Sequence, residues 1–386
     1  MVQEGTGMKK NSKKTTKQMA VAEVSTLADR AAGTLVIGID LGDRSSTYCV
    51  RERQTEGVLV EGTVETKPEA ILDRFRGLQA QRMVMETGTH ARWMAQLLEL
   101  MGHEVIVGNA RKLKLVSENT QKSDTVDPRL LSKLGCVSAD WLHPVYQRKQ
   151  EAHNDLLIVR AREALVEVRT GLINHVRGVV KSYGCRLKTT YAEGFVEIAQ
   201  AGLPEALRPA LSGVLETLAE LNEQIYAYER QIEHLCQSKY KKEVEPMMAI
   251  KGVGPITALA YRLTIEDAAR FPQSRDVGPY LGLTPGKKQS GKRDPQMGIT
   301  KAGDEMLRKL LVNCAQHILG PHGQDSDLRR WGMKLVAAGQ AAGKKGARKR
   351  AGAAVARKLA VLLHRLWISG DKYEPLRGSQ VLTAVA

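Results

Sequence analysis

The spacing of apolar positions changes twice along the chain, and each change marks a different kind of structure. From Thr34 the apolar residues come in short, β-branched runs broken by turn residues. Leu35–Asp40, Thr47–Arg53 and Val58–Glu65 read as three strands in quick succession, split by Gly42-Asp43-Arg44 and by Thr55-Glu56-Gly57. The pattern then predicts a helix over Pro68–Leu78, a strand over Arg82–Met85 and an amphipathic helix over Ala91–Met101. A strand over Glu104–Val107 and a helix around Thr125–Leu134 follow. From about Gln147 to Tyr183 the period is helical, with Leu156, Val159, Leu165, Val168 and Leu172 at three- and four-residue spacing. A second such series, from Leu207 to Ile232, lies between Pro204 and about Lys239. Together they read as long antiparallel helices or a coiled-coil arm. Beyond Met247 come a Gly-x-Gly turn feeding a helix and a Gly- and Lys-rich stretch from Gly278 to Gly303. A strong helix over Asp304–Leu319 and a basic amphipathic helix between Lys344 and Arg365 complete the pattern.

Three hairpin-linked strands followed by alternating helix and strand is the order of a ribonuclease-H-like, or RuvC-like, fold. The expected class is therefore α/β followed by mostly α. The expected parts are a disordered basic leader (1–33), a RuvC-like catalytic domain (34–146) and a helical or coiled-coil arm (147–245). A helical C-terminal domain with a helix-hairpin-helix-like element (246–320) and a basic helical tail (321–386) follow. No repeat of solenoid length is visible.

Charge narrows the function. The chain of 386 residues has a formal net charge of +16, the footprint of a polyanion partner, with nucleic acid the first candidate. Its five cysteines show no CxxC pair, which argues against a zinc site or a disulfide framework and for a reduced, cytoplasmic compartment. No apolar run approaches the roughly 20 residues of a membrane span, so no membrane partner is expected. Lys9, Lys10, Lys13, Lys14 and Lys17 are not followed by the apolar stretch of a signal peptide.

Four carboxylates carry the candidate chemistry. Asp40 closes the run Leu-Val-Ile-Gly-Ile-Asp, and Glu86 closes Met-Val-Met-Glu. Asp124 and Asp127 stand three apart, which on a helix puts their Cβ atoms roughly 5–6 Å apart on one face. Acids at two strand ends and on one helical face can converge, and converging carboxylates repel unless a cation lies between them. Oxygen-only ligands favour Mg²⁺ or Mn²⁺, and in a basic protein such a cluster points to phosphodiester chemistry. Each acid also has a plainer explanation. Asp40 and Glu86 precede turns, and Asp124 and Asp127 suit a helix start, as N-cap and first-turn residue ahead of Pro128.

Two basic segments suggest nucleic-acid contact. Lys251, Gly252 and Gly254, in Ile250-Lys-Gly-Val-Gly-Pro255 ahead of a helix, can offer backbone N–H groups to a phosphate. Further along, Ser290 precedes Gly291 amid Lys287, Lys288, Lys292 and Arg293, with Lys301 and Arg308 beyond. A hydroxyl in such a positive field can be a nucleophile. With no histidine base evident nearby, chemistry alone favours a serine that hydrogen-bonds phosphate.

With these residues the chain resembles the bridge-RNA-guided transposases of bacterial insertion sequences, over roughly Leu35 to Leu319. The resemblance rests on Ile37-Gly-Ile-Asp40, Met85-Glu86-Thr-Gly88, Lys122-Ser-Asp124-Thr-Val-Asp127 and Ile250-Lys-Gly-Val-Gly-Pro255. It rests also on Tyr280-Leu-Gly-Leu-Thr-Pro285, Gln289-Ser290-Gly291 and Gly298-Ile-Thr-Lys301-Ala-Gly303. It implies that 246–320 is a transposase domain. It also implies a metal-binding tetrad of Asp40, Glu86, Asp124 and Asp127, and Ser290 as the nucleophile that forms a covalent phosphoserine link with DNA. The implied partners are element-end and target DNA, a bridge RNA that selects them by base pairing, and further copies of the chain in a dimer or tetramer. In that arrangement the protein need read only backbone and shape. Two other readings remain open at this point. One is a RuvC-like junction-resolving nuclease that uses the acids alone; the other is a non-catalytic nucleic-acid scaffold.

Overall fold

The computed structural model describes residues 24–110, 112, 126–287 and 297–378, and at 126 and 127 the backbone alone. Asp124, Lys288, Ser290, Lys292 and Arg293 therefore lie outside the described residues, as do most of the leader and the Asp127 side chain. The chain divides into two compact units, Met1–Gln147 and Arg148–Ala386.

The first unit is built on a five-stranded mixed sheet in the order β3-β2-β1-β4-β5. The strands are β1 (Leu35–Asp40), β2 (Ser45–Glu52), β3 (Val58–Glu65), β4 (Arg82–Glu86) and β5 (Glu104–Gly108). Short turns join β1, β2 and β3, so these pair antiparallel. Helices α1 (Pro68–Phe75) and α2 (Ala91–Leu100) lead into β4 and β5, which pair in parallel with β1 and β4 respectively. Because side chains alternate along a strand, the two faces carry different residues. Leu35, Ile37, Ile39, Met83 and Met85 share one core with Ile71, Phe75, Met94 and Leu98 of the two helices. Val36, Val84 and Ile106 face the other way, under Leu131 and Leu134 of helix α3 (Val126–Val137).

Most of this order is as the sequence pattern has it, with shifts at the edges. The ladder carries β2 back to Ser45, which pairs with Glu65, and carries β4 on to Glu86. Helix α1 stops at Phe75, ahead of Gly77, rather than at Leu78. Residues 24–33, expected to belong to a disordered leader, are instead ordered. Val24 and Leu27 are buried in the sheet core, and the Gln81 amide donates to the Ala31 carbonyl at 3.0 Å while accepting from the Leu35 N–H at 2.9 Å.

The second unit is helical. Helices α4 (Gln150–Ser182) and α6 (Arg208–Gln237) run antiparallel, which brings Arg162 to Glu229 and Arg169 to Asn222. This polar layer separates two apolar clusters. Val176, Val180 and Leu218 form the outer one with Phe195 and Ala199 of a short helix, α5 (Phe195–Gly202), which the sequence pattern does not reveal. Leu156, Val159, Ile232 and Cys236 join the main core. Polar residues within an apolar seam fix register at some cost in stability.

The main core gathers α7 (Lys241–Met248), α8 (Pro255–Ile265), α9 (Val277–Tyr280), α10 (Glu305–Leu319), α11 (Asp327–Ala341) and α12 (Ala347–Ser369). The boundary expected between 320 and 321 has no counterpart in this packing. Val355, Leu359 and Leu363 of α12 are fully buried in the same core as Leu259 and Leu311. Each such leucine contributes about 1.5–3 kcal/mol. The basic residues Arg348, Lys349, Arg350, Arg357 and Lys358 stay on the helix's exposed face. Among the described residues no helix is long and apolar enough to cross a membrane.

Candidate active site and nucleic-acid surface

The register of the sheet sets the acidic site. Ile39 of β1 lies opposite Met85 of β4, so the next residues, Asp40 and Glu86, end adjacent parallel strands side by side. Both are half-buried. By the pleat they share a face with Val36, Gly38 and Val84, the face that α3 covers.

Gly38 is what lets α3 lie there. A Cβ built on Gly38 would stand 2.2 Å from the Pro128 carbonyl oxygen and 2.5 Å from the Ser132 nitrogen, so no side chain fits. At the other end of the helix, Gly135 lies against Val36 and Val84, and its carbonyl accepts from Arg82 Nη1 at 2.9 Å. The helix therefore runs opposite to β1 and β4, with its N-terminal turn at the end where Asp40 and Glu86 stand. Asp127 is in that turn, directly before Pro128.

A clamp at the same turn holds the helix to the sheet. The Arg129 guanidinium pairs with both carboxylate oxygens of Glu61 on β3, and Arg51 Nε donates to Ser132 Oγ at 3.4 Å. The bond from Arg129 holds the Glu61 carboxyl below its ordinary range. Neither Gly38 nor this pair carries a sequence signal that separates it from an ordinary strand glycine or a surface ion pair. Among the described residues no group of three or more His, Cys, Asp or Glu is placed to hold a metal; two of the four expected ligands lie outside that set.

In the second unit, α7 and α8 are joined by the turn at Lys251-Gly252-Val253-Gly254. Gly252 adopts φ +103° and packs against His317. Val253 N–H donates to the Ile250 carbonyl at 2.9 Å. Gly254 caps α8 without a side chain, and Pro255 opens it. Lys251 and Gly254 are exposed. A shallow cavity of about 560 Å³ lies over this turn, closed on its far side by Leu310, Asn313 and His317. An exposed lysine beside a helix N-terminus suits a phosphate.

The stretch around Ser290 leaves and re-enters the core through a short two-stranded base. Gly286 N–H donates to the Gly298 carbonyl and Thr300 N–H to the Thr284 carbonyl, both at 2.9 Å. Below this the two ends are clasped backbone to backbone. Gly282 (φ +67°) would place a Cβ 2.2 Å from the Ala302 carbonyl oxygen. Gly303 (φ +75°) would place one 2.1 Å from the Tyr280 oxygen. Lys287 and Lys301 are exposed on this base. Arg308 is used differently from the expected phosphate contact. It is buried, and Nη1 donates to the carbonyls of Ala302 at 2.8 Å, Leu281 at 3.3 Å and Asp304 at 3.4 Å, so it rivets the clasp.

Comparison with known proteins identifies the family. Residues 37–185 match a family model described as a transposase of the DEDD type, and residues 244–328 match one described as the transposase IS116/IS110/IS902 family. The chain is 30% identical over 305 residues to a putative transposase of Sinorhizobium fredii, covering 75% of this chain and 73% of that one. It is 28% identical over 299 residues to the transposase for insertion sequence element IS1328 of Yersinia enterocolitica, covering 73% and 83%. A probable family 20 transposase of Pseudomonas aeruginosa is 28% identical over 280 residues, covering 70% and 81%. The chain therefore belongs to the IS110/IS116/IS902 family of insertion-sequence transposases, and it is an enzyme acting on DNA rather than the non-catalytic scaffold its charge also allowed.

Proposed function

We propose that this transposase cuts and rejoins DNA by covalent exchange, with Ser290 as nucleophile and a divalent cation held by Asp40, Glu86, Asp124 and Asp127. The supporting observation is the side-by-side placement of Asp40 and Glu86 on the sheet face beneath the first turn of α3. All four side chains offer oxygen only, the donor set of Mg²⁺ or Mn²⁺. The sheet order, with three antiparallel strands followed by two parallel ones, is that of a ribonuclease-H-like domain. When bound, the ion supplies charge compensation at the scissile phosphate.

The chain's own residues do the rest. Ser290 Oγ attacks phosphorus, an Oγ–P bond forms, and the bond from phosphorus to one deoxyribose oxygen breaks. The serine proton is lost, and the leaving oxygen gains one to become a free hydroxyl. Attack by a deoxyribose hydroxyl on the phosphoserine reverses these changes and releases the serine. No water is consumed, so the bond energy of the phosphodiester is kept for rejoining. The turn at Lys251–Gly254, together with Lys287, Lys288, Lys292, Arg293 and Lys301, holds DNA by its backbone. A bridge RNA selects the sites by base pairing, and protomers assemble as a dimer or tetramer around them.

The test uses purified protein, its candidate RNA and end-labelled element-junction DNA with Mg²⁺. Denatured products should show protein covalently attached to DNA, and Ser290→Ala should lose that adduct. Asp40→Ala should abolish cleavage and leave binding intact. Cleavage without an adduct, unchanged by Ser290→Ala, would instead mean hydrolysis by the acids alone.

A further inference from the structure

A groove of about 830 Å³ lies between α12 and the base of the Ser290 stretch. Its floor is apolar, formed by Leu283, Ile299, Trp331, Ala353, Ala354 and Val361. Its rim is cationic, formed by Lys349, Arg350, Arg357 and Lys358, all on the exposed face of α12. Among the described residues none of these four is in an ion pair. The Lys358 ammonium sits 4.4 Å from the centre of the Trp331 ring, which keeps it over the groove. Pro285 and Met297, on either side of the stretch that carries Ser290, also line it.

We propose that this groove seats unpaired nucleotides of the DNA strand being cut. The inference rests on the DNA-cutting reading above and adds where, and in what form, the strand is held. Four unpaired cations select a polyanion. An apolar floor adds affinity only if the polyanion can also place a flat, weakly polar group against it. A duplex keeps its bases stacked inside and cannot; a base out of the stack can, with its phosphates on the rim. The volume falls in the range of about 300–1,000 Å³ typical of small-ligand sites. Among the described residues no lining side chain is a carboxylate, amide or hydroxyl, and with the rim cations on phosphate the floor grips a base by its flat face, which every base has. DNA rather than RNA is the occupant because the Ser290 stretch begins and ends at this groove, and the strand that serine attacks is DNA. Small side chains at Ala353 and Ala354 keep the floor open.

The experiment measures binding by the full chain of a labelled oligo-dT strand, the matching RNA strand and a DNA duplex, at one salt concentration. The variant Ala354→Leu fills the floor and keeps all four cations. It should weaken single-strand DNA binding about tenfold, the loss expected for one base contact, and leave duplex binding unchanged. Arg350→Gln with Lys358→Gln should weaken single-strand binding and flatten its salt dependence. Should Ala354→Leu fail to fold, a 5-iododeoxyuridine strand cross-linked to the unaltered chain gives the same answer, with adducts expected at Met297 or Trp331. Unchanged single-strand affinity in Ala354→Leu, or cross-links only elsewhere, overturns the proposal while leaving DNA cutting intact. Preferential binding of the RNA strand, lost in Ala354→Leu, overturns it in favour of RNA. A chain that binds neither duplex nor single strand overturns both readings.

Discussion

In the first unit Asp40 and Glu86 are placed by regular structure, as two strand ends in register with a helix start above them. In the second, the residues flanking Ser290 are placed by irregular backbone, a two-rung base and a glycine clasp riveted by Arg308. Both regions depend on glycines whose missing Cβ lets another backbone come close, Gly38 in one and Gly282 and Gly303 in the other. The difference lies in what the close approach does. At Gly38 it seats a whole helix on a sheet, so distant residues are brought together. At Gly282 and Gly303 it ties two points of the same segment, so the stretch between them starts and ends at a set place. On the proposed function, an acidic site that gathers a cation needs the first kind of construction, and a nucleophile that must reach a phosphate is served by the second.

The largest effect should come from breaking the helix seat. Gly38→Val forces a side chain into backbone atoms of α3 that cannot swing aside. Overpacking of this kind costs about 1–3 kcal/mol. If α3 shifts by an ångström instead, misplacement of the acids would cost about 10²-fold in rate. The expected result is a lower urea midpoint, a cleavage rate reduced by about that factor, and unchanged DNA affinity. A variant that cleaves normally would mean that the position of α3 does not matter to the acids.

Breaking the clasp should cost less overall and act on a different step. Gly303→Ala meets the Tyr280 carbonyl and takes a left-handed backbone that alanine resists, together worth about 1–3 kcal/mol. The yield of the Ser290 adduct should fall several-fold, with the Mg²⁺ concentration for half-maximal cleavage unchanged. Arg308→Met should act in the same direction, because it strips the donor from carbonyls at the same base, a loss of about 1–3 kcal/mol. If either change shifts the Mg²⁺ requirement, the two regions are not independent.

The contrast also explains how far the sequence could be read. Strand register follows from apolar alternation and turn chemistry, so the positions of Asp40 and Glu86 were legible to within a residue or two. The antiparallel helices showed in the spacing of their leucines. The clasp was not legible, because Gly282 and Gly303 are twenty-one positions apart and look like ordinary loop glycines. Arg308 shows the same limit from the other side. A basic residue in a basic segment reads as a phosphate contact, and only the fold shows its guanidinium turned inward onto carbonyls. The amphipathic helix of the tail was legible in its spacing, and what the fold adds is where its apolar face goes: Val355, Leu359 and Leu363 are buried in the main core while the cations stay outward.

The smallest effect should come from the clamp that trims the helix seat. Arg129 and Glu61 are partly exposed, so their pairing is screened and Glu61→Gln should lower cleavage by no more than about fivefold. Its value is that it titrates. Arg129 holds the folded-state Glu61 carboxyl below the value it has in the unfolded chain, near about 4.3. The pair therefore contributes fully above that pH, and the contribution disappears as pH falls through the depressed folded value. Melting temperatures of the unaltered chain and Glu61→Gln should differ by a constant amount from pH 5 to pH 7 and converge as the pH falls through the depressed folded value of Glu61. A difference that persists in acid would mean that Glu61 acts by packing instead of charge. The clamp would then hold α3 by fit rather than by charge.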